Sequence, residues 1–498
     1  MTTKAQLISW LKTSTARRVV LVEVEGVLYG NGTLLGTLYF SNRPYGTSSS
    51  DIPISTNYTA AITGGVTFSE TLDLSGNATI GFGDIELDNT NGVRDELLTY
   101  IWANKAIKIY IGDAGWSKLD FYQIFSGYVN DVESRNRNSI NLILVDKLQQ
   151  LNVAVTDVLM GGTAASKDQL KPLCFGECFN VTPVIQNNST LTYQVHNGPI
   201  ESIIEVRDSG LKVNIDETTL QTDLNNGVFK LRASPVGVVT ASVQGGRYGS
   251  PTATYSSKVA TVIETLLRYY GKTVTANDIN TTSFSDNNTQ DVGVYLTERE
   301  NLLDICQKLA NSCGLSLTTG LDGKFKLVKL KVDETTGEQY SVSSTDMEER
   351  SLSISQKVPV TGGIKLGYCK NWTVQNSGLA AAIVPDASTI FGRDYYTISV
   401  KDTDVLTRYN QTAEQPLQET LLITTTNATT EANRLLTIYK TPRFIYTATY
   451  YAHLLVCELG DLVKLTHPRF DLTNGKIGTA VSIERDWLNG RVTIGILI

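Results

Sequence analysis

The sequence of 498 residues predicts a mainly β protein with an α+β insert. Apolar residues alternate with polar ones through most of the chain, as at Ile107, Ile109 and Ile111, and this period is typical of half-buried strands. Asp-Gly and Asn-Gly pairs separate several of these runs and favour tight hairpin turns. Helical spacing of apolar residues defines two segments between Val259 and Leu309. These three observations favour antiparallel sheets with a smaller α/β part.

Residues 76–151 have the clearest pattern. A strand with Ile80, Phe82, Ile85 and Leu87 is expected to end in the polar turn 88–92. A short amphipathic helix follows, with Asp95 and Glu96 in its first turn, where the helix dipole favours negative charge. Its apolar face has Leu97, Leu98, Ile101 and Trp102. Three further strands are predicted around Ile107–Ile111, Phe125–Val132 and Ile140–Leu144.

The residues before this stretch predict a capped helix and two strands. Thr2 or Thr3 is the expected N-cap of a helix that presents Leu7, Ile8 and Leu11 on one face. The start of the chain lacks the pattern of a secretory signal. Strands are expected at 19–24 and 34–40, and Glu23 and Glu25 are expected to face water. The polar segment 41–57 is expected to be a loop.

Residues 156–254 read as short strands between turns. Pro172 and Pro183 punctuate an extended path, and Gly176 allows a bend. Strands are expected on both sides of the Asn197-Gly198-Pro199 turn, then near Phe229–Leu231 and Val238–Val243. Gly245-Gly246, with Gly249 and Pro251 after it, predicts a flexible corner and a boundary.

The α/β part follows, over residues 255–330. One helix is expected to end at Gly271 and a second at Gly314. A polar loop containing Val292–Leu296 separates them. After the second helix, a hairpin is expected across Asp322-Gly323.

Residues 331–498 are again rich in β pattern. Strands are expected at Leu352–Val360 and Ile364–Tyr368, a helix at Thr429–Tyr439, and a loop-rich segment at Ala382–Thr412. Hairpin turns are expected at Asn474-Gly475 and Asn489-Gly490. No proline interrupts the stretch from Arg491 onward, so this strand is expected inside a sheet.

The composition and charge argue against two classes of protein, those that span a membrane and those that bind nucleic acid through its phosphates. Hydrophobic residues make up 41% of the chain and the mean hydropathy is −0.09, and no apolar run reaches the ~18 residues of a membrane span. The net charge of −7 has the wrong sign for a protein that holds nucleic acid through phosphate contacts. The length favours two to four domains.

No catalytic, cofactor-binding or metal-binding residues are predicted. The chain has no GxSxG, HExxH or phosphate-cradling motif, and His196, His453 and His467 stand apart in the sequence. The six cysteines are interpreted as reduced, mostly buried thiols. The alternative, that Cys174 and Cys178 join two others as ligands of a metal or iron–sulfur cluster, fits the CxxxC spacing poorly.

Several segments resemble the hub proteins at the tail tip or baseplate of tailed bacteriophages. The segments are GDIELDN and FSGYVNDVE in the first 155 residues, KPLCFGECFNVTPVI and YQVHNGPI in the next part, and GDLVKLTHPRF followed by IERD and GRVTI near residue 498. The resemblance extends over all parts of the chain and includes no catalytic motif.

The resemblance implies two tail-tube-like β-barrel modules plus smaller β-rich and α/β modules. The expected domains are 1–155 as the first barrel, 156–254 as a β-rich insert with strands returning to that barrel, 255–330 as the α/β module, and 331–498 as the C-terminal barrel module. The implied protein is a non-enzymatic homotrimer in the virion, made in the host cytoplasm.

Such a hub joins the distal tail or tail tube proteins to a central spike or fibre protein. It forms part of the channel for the tape-measure protein and for DNA, which passes without specific binding. Segments 41–57 and 382–412 are expected to be contact arms. Two alternatives stay open: a hexameric distal tail protein, and a tail-associated enzyme that degrades a cell-wall polymer.

Overall fold

The computed structural model describes residues 3–13, 15–74, 81–162, 165–215, 222–247, 254–383, 389–412 and 414–498. The chain divides into two compact units. Unit 1 contains Met1–Gln149, Ser316–Val358 and Pro442–Ile498, and unit 2 contains Gln150–Leu315 and Pro359–Thr441. The backbone therefore passes from one unit to the other four times.

The strands are numbered in chain order. Those up to residue 149 are β1 (Arg18–Leu28), β2 (Leu34–Ser41), β3 (Tyr45–Gly46), β4 (Asn57–Ala60), β5 (Ile62–Thr71), β6 (Phe82–Asp88), β7 (Lys105–Asp113), β8 (Tyr122–Asn136) and β9 (Ser139–Asp146). Those that follow, up to residue 296, are β10 (Leu173–Val181), β11 (Val184–Asn187), β12 (Thr192–Gln194), β13 (Ile200–Asp208), β14 (Leu211–Val213), β15 (Val228–Lys230), β16 (Val239–Gly246) and β17 (Gly293–Leu296).

The remaining strands follow the same order. They are β18 (Leu315–Thr319), β19 (Phe325–Lys329), β20 (Tyr340–Val342), β21 (Ser353–Val358), β22 (Gly363–Tyr368), β23 (Tyr396–Lys401), β24 (Leu417–Glu419), β25 (Arg443–Tyr451), β26 (Leu462–His467), β27 (Leu472–Asp486) and β28 (Arg491–Leu497). The labelled helices are α1 (Lys4–Leu11), α2 (Val259–Tyr270), α3 (Thr281–Asp286), α4 (Leu302–Ser312), α5 (Thr403–Arg408) and α6 (Thr425–Tyr439).

One sheet of 15 strands organises unit 1. Its hydrogen-bonded order is β21-β25-β28-β27-β5-β6-β9-β8-β7-β1-β2-β4-β3, with β26 on β27 and β20 on β26. The C-terminal strands meet the N-terminal ones where β27 pairs with β5, from Ser482 opposite Thr71 to Asp486 opposite Thr67. The first and last parts of the chain thus share one sheet.

The protein is mainly β, as the sequence predicts. Within the described part of the chain, the two ends of the long strand path, β21 and β3, are not hydrogen-bonded to each other. The sheet is therefore open there, and the tail-tube-like barrel modules stay a proposal.

The N-terminal elements follow the apolar pattern closely. Thr3 caps α1 by accepting a hydrogen bond from the Gln6 backbone N–H, and Leu7 and Leu11 are buried. Ile107, Ile109 and Ile111 of β7 point into the core. The predicted helix near residue 97 is a 3-10 helix of five residues, Asp95–Thr99, because its next turn is replaced by extended backbone at Tyr100. Ile80 lies outside the described residues.

Unit 2 contains a five-stranded sheet with the order β14-β13-β16-β10-β17. The predicted flexible corner at Gly245-Gly246 is wrong, because both glycines belong to β16. A Cβ on Gly245 would lie 2.3 Å from the Cys174 carbonyl oxygen, so the glycine allows a close backbone approach. Gly249 and Pro251 lie outside the described residues. The division into four domains stays a prediction.

The α/β pattern is confirmed in part. Helices α2 and α4 end where Gly271 and Gly314 were expected to stop them. The loop between the two helices also contains α3, which the polar sequence concealed. The β18–β19 hairpin turns at Asp322-Gly323, and Gly323 has a φ of +72°. Among the described residues, no helix combines the length and apolar character needed to cross a membrane.

One predicted hairpin turn near residue 475 is wrong. The chain reverses at Phe470 and Asp471, which both have left-handed φ values, of 61° and 60°. Asn474-Gly475 lies inside β27, where the register with β26 shifts. The second turn, at Asn489-Gly490, connects β27 to β28 as expected, and β28 lies between β25 and β27, inside the sheet.

Candidate interaction site

The segment 41–57, expected to be a polar contact loop, is an ordered hairpin. Strands β3 and β4 pair antiparallel, with Tyr45 opposite Tyr58. Beyond them, the Thr47 backbone N–H donates to the Thr56 carbonyl oxygen over 2.9 Å, and the Thr56 N–H donates to Thr47 Oγ1 over 2.7 Å. We call residues 48–56 at the end of this hairpin the tip.

Asp51 holds the tip in one conformation. Its Oδ2 accepts hydrogen bonds of 2.7 Å from both the backbone N–H and the hydroxyl of Ser48. Its Oδ1 accepts from the hydroxyl of Ser117, a residue far away in the sequence. These hydrogen bonds, the one from Ser117 above all, hold the pKa of Asp51 well below its usual range. The carboxylate is therefore ionised at neutral pH and is fixed by three donors.

This arrangement turns the charge inward and the apolar side chains outward. Asp51 is the only charged residue of the tip, and it is buried. Ile52 and Ile54 are 74% and 66% exposed. The outer surface of the tip therefore carries no charge, and the two isoleucines are exposed there beside four exposed serines. Single exposed apolar residues are ordinary, but two on an ordered hairpin form a feature that a partner protein can cover.

Aromatic side chains form the base of the hairpin. The Tyr45 ring contacts those of Phe121 and Tyr58 edge to face, with centroid distances of 5.0 and 5.9 Å. The Tyr45 hydroxyl donates to the Trp116 carbonyl oxygen over 2.9 Å. Burial, with the charges of Asp51 and Asp120, raises the pKa of Tyr45 to about 12. Tyr45 thus stays neutral and anchors the hairpin through packing and one hydrogen bond.

A buried ion pair lies beneath this aromatic base. Lys118 Nζ is 3.1 Å from Glu23 Oε1, and both side chains are almost wholly buried. The Tyr58 hydroxyl donates to the same carboxylate, and the Lys118 ammonium lies 3.2 Å from the centre of the Tyr110 ring. Burial lowers the pKa of Lys118, and the charge of Glu23 opposes that shift. The expectation that Glu23 faces water is therefore wrong.

The second expected contact arm, 382–412, is less loop-like than predicted. It contains β23, which pairs with β22 over six residues, and helix α5, whose N-cap Asp402 accepts from the Val405 N–H. The alternation of Ile398 and Val400 in β23 is the signal that should have indicated a strand. Residues 384–388 of this arm lie outside the described residues.

The histidines occupy three different environments. His196 is buried and accepts a 2.9 Å hydrogen bond at Nδ1 from the Cys174 backbone N–H. Burial lowers the pKa of His196 to about 3, so the ring is neutral. His453 Nε2 lies 3.2 Å from Asp346 Oδ1, and His467 Nδ1 accepts from the Arg469 backbone N–H.

The six cysteines are free thiols. Cys174 and Cys178 belong to an apolar cluster with Val243 and Tyr295, and burial raises the pKa of the Cys178 thiol. In the described ranges, no group of three or more histidine, cysteine or acidic side chains has an arrangement that could hold a metal ion.

The sequence did not reveal that Asp51 and Ser117 meet. The local signal was present in the run Ser-Ser-Ser-Asp-Ile-Pro-Ile, where a serine and an aspartate three residues apart favour a self-bonded turn. In such a turn the aspartate side chain points toward the protein, and the isoleucine side chains stay exposed to solvent. The contribution of Ser117 depends on the tertiary fold and had no local signal.

Comparisons with known proteins found similar chains among solved structures alone. No protein-family model matches the chain, and no curated protein sequence does either. The 43 kDa tail protein of prophage MuSo2 from Shewanella oneidensis aligns over 97% of this chain and 98% of its own, with a TM-score of 0.44 and 10% identity.

Two further structures align over nearly the whole chain. A tail protein from Neisseria meningitidis MC58 covers 97% of this chain and 96% of its own, with a TM-score of 0.38 and 9% identity. A chain of the p2 virion baseplate in its activated conformation covers 96% and 98%, with a TM-score of 0.29 and 7% identity. The chain is similar to these phage tail and baseplate structures over nearly its whole length.

Proposed function

We propose that this chain is a structural, non-enzymatic protein of a bacteriophage tail tip or baseplate, and that three copies form its hub. The hub joins the distal tail or tail tube proteins to a central spike or fibre protein. It forms part of the channel through which the tape-measure protein and then DNA leave the virion. Residues 1–155 and 331–498 supply its tail-tube-like modules.

The observation that carries this proposal is an ordered, uncharged tip with two exposed isoleucines on an open sheet. Asp51, Ser48 and Ser117 fix the tip, and Ile52 and Ile54 expose aliphatic surface to water. Fixing a loop in this way lowers the conformational entropy that is lost when a partner binds. A sheet with free ends also gains from neighbouring copies that cover its edges. Both features suit a subunit of a larger assembly.

The charge is compatible with a channel for DNA. Three copies would carry three times −7, a formal charge of −21. A channel of this overall sign gives DNA few phosphate contacts, so DNA would move through it without being held.

The first experiment is a measurement of the molar mass of the purified protein by light scattering. We expect a value near three times 54.5 kDa, and a ring with threefold symmetry and a central opening in negative-stain electron micrographs. A hexamer would favour the distal tail protein instead. A monomer at every accessible concentration would contradict the hub proposal for the isolated protein.

The double variant I52S/I54S tests whether the tip contributes to the assembly of copies of this chain. We expect it to stay folded and to shift the mass toward the monomer, because it removes apolar contact surface without changing Asp51. The matched control is Val93→Ser, since Val93 is also aliphatic, lies in the same unit and is 62% exposed. Equal effects of the two changes would argue against a specific role of the tip.

A further inference from the structure

Strand β9 ends in a buried carboxyl group, that of Asp146, which is 4% exposed. Its Oδ1 accepts a 2.9 Å hydrogen bond from the backbone N–H of Leu148, two residues further along the chain. Its Oδ2 accepts one of 2.7 Å from the backbone N–H of Gly81, and the Asp146 N–H donates to the Gly81 carbonyl oxygen over 3.1 Å. One side chain therefore holds two segments that lie 65 positions apart in the sequence.

Glycine at position 81 makes room for this contact. A Cβ there would lie 2.3 Å from Cζ of the Phe68 ring and 3.1 Å from Asp146 Oδ2, so a larger residue would displace one of them. The Leu148 N–H belongs to the 3-10 helix Lys147–Leu151, where the backbone passes from unit 1 to unit 2. Asp146 thus fixes the start of that helix.

No cation balances a charge on Asp146. The charged group that acts on it is Glu70 of β5, which is itself a carboxylate and is paired with Arg485 of β27. Gly127 of β8 is directly opposite Asp146 and carries no charge. In the described part of the chain, no lysine, arginine or histidine forms an ion pair with Asp146. A buried charge without a counter-ion is costly, so such a carboxyl group favours its protonated form.

We infer that Asp146 is a proton-sensitive latch: a proton on its carboxyl group keeps the Gly81 and Leu148 segments closed around it, and loss of that proton lets them open. The latch is a property of unit 1 and does not require that the chain assemble with itself. It therefore goes beyond the proposed function and does not depend on it.

The direction of the pH dependence follows from proton binding. Burial raises the pKa of Asp146 to about 7, the two backbone N–H groups oppose that shift, and the Glu70 charge adds to it. In the open state the carboxyl group is hydrated and has its ordinary pKa of 3.8. Between these values the closed state holds a proton that the open state releases. The stabilisation of the closed state is therefore present in acid and is lost as pH rises through about 7.

Amide hydrogen exchange at residue resolution tests the latch in the full-length protein. Exchange is measured from about pH 5 to about pH 8.5, and each rate is divided into the intrinsic rate at that pH to give a protection factor. We expect the protection of the Gly81 and Leu148 amides to fall by up to about tenfold per pH unit between about pH 5 and 6.5. Above about pH 7.5 it should stay level, because the closed state has then lost its proton.

Asp113 provides a matched control within the same protein. It also belongs to unit 1 and accepts hydrogen bonds from the backbone N–H groups of Arg17 and Gly115, over 2.9 and 3.1 Å. Burial disfavours its charge, but these hydrogen bonds and the Arg17 guanidinium 3.8 Å away outweigh burial and lower the pKa of Asp113. Its carboxylate is ionised throughout the same pH range, so the protection of the Gly115 amide should not change.

The variant Asp146→Asn removes the titration. Its side chain is neutral at every pH, so the protection of the Leu148 amide should no longer vary with pH. A wild-type protein in which Leu148 protection is as constant as Gly115 protection would overturn the inference. The same pH dependence in the variant as in the wild type would also overturn it, since another group would then be responsible. If the variant fails to fold, the wild-type comparison of Leu148 with Gly115 decides, because it needs no substitution.

Discussion

Arg485 and Glu70 form a buried ion pair at the junction of β27 and β5, with 2.8 Å between Nη1 of the arginine and Oε1 of the glutamate. The same guanidinium donates to the backbone carbonyl oxygens of Leu455 and Cys457, over 3.1 and 2.5 Å. One side chain therefore links β27, β5 and the segment before β26. This is the junction where the C-terminal strands join the N-terminal ones.

Replacing Arg485 with methionine should destabilise unit 1 strongly. The change leaves the Glu70 carboxylate buried without its partner, which typically costs about 3–5 kcal/mol. The double variant E70L/R485M should recover part of this loss, since no charge is then left buried. Urea unfolding followed by circular dichroism measures both. The control is Arg135→Gln at a more exposed ion pair with Asp84, expected to cost at most about 1 kcal/mol.

Gly245→Ala tests the close approach of β16 and β10. An added Cβ would lie 2.3 Å from the Cys174 carbonyl oxygen and 2.9 Å from the Phe175 nitrogen, so the backbone must move. We expect a loss of about 1–3 kcal/mol in the free energy of unfolding. Gly64→Ala is the control, because its Cβ would meet nothing nearer than 3.8 Å. A stability like that of the wild type would show that the two strands separate at little cost.

The free energy of unfolding should decrease in acid because of His196. Its pKa is about 3 in the folded protein and near 6.5 in the unfolded chain. Between these values the unfolded state binds a proton that the folded state does not, so stability is lost as pH decreases below about 6.5, by up to about 1.4 kcal/mol per pH unit.

The variant His196→Asn isolates this contribution. Asparagine can still accept the hydrogen bond from the Cys174 N–H but does not titrate. The stability advantage of the wild type should therefore shrink as pH falls from 6.5 to 4.5 and stay constant from pH 7 to 9. A constant difference across the acid range would show that His196 is protonated in the folded state.

Ser117→Ala should loosen the tip without unfolding the protein. It removes one of the three donors to the Asp51 carboxylate, so one end of the link between the tip and Ser117 is lost. We expect faster amide hydrogen exchange at Ser48 and Ser55, whose backbone groups close the tip. The control is Ser134→Ala on an exposed hairpin of the same unit. Equal exchange at the tip in both variants would contradict the role of Ser117.

The elements that follow from local pattern were predictable. Four features depend on neighbours in the sequence, and the structure places them as expected: the isoleucines of β7, the Thr3 cap of α1, the end of α4 before Gly314, and the Asn489-Gly490 turn. The mainly β class follows from the same local signals. The sheet shared by the N-terminal and C-terminal strands could not be predicted in the same way. The pairing of β27 with β5 joins residues about 400 positions apart, and no local pattern indicates it.

Glu23 and Gly245 were misplaced for one physical reason, namely a partner distant in the sequence. Glu23 was expected to face water, since a charge is costly to bury alone. In the structure Lys118 and Tyr58 contact its carboxylate in the core. Gly245 was interpreted as a flexible corner because nothing local indicates the Cys174 carbonyl. The tip was recognised as a possible contact segment, but its fixed shape depends on Ser117.

The pairing of Thr71 with Ser482 also sets the order of events during synthesis. Strand β5 leaves the ribosome early, and one of its edges stays without its final partner until β27 has been made. A ribosome needs many seconds to add the residues between them, at roughly 5–20 residues per second. During that interval the nascent N-terminal strands are vulnerable to pairing with other chains. A chain truncated before β27 keeps that edge open, so only chains that reach β27 can complete unit 1.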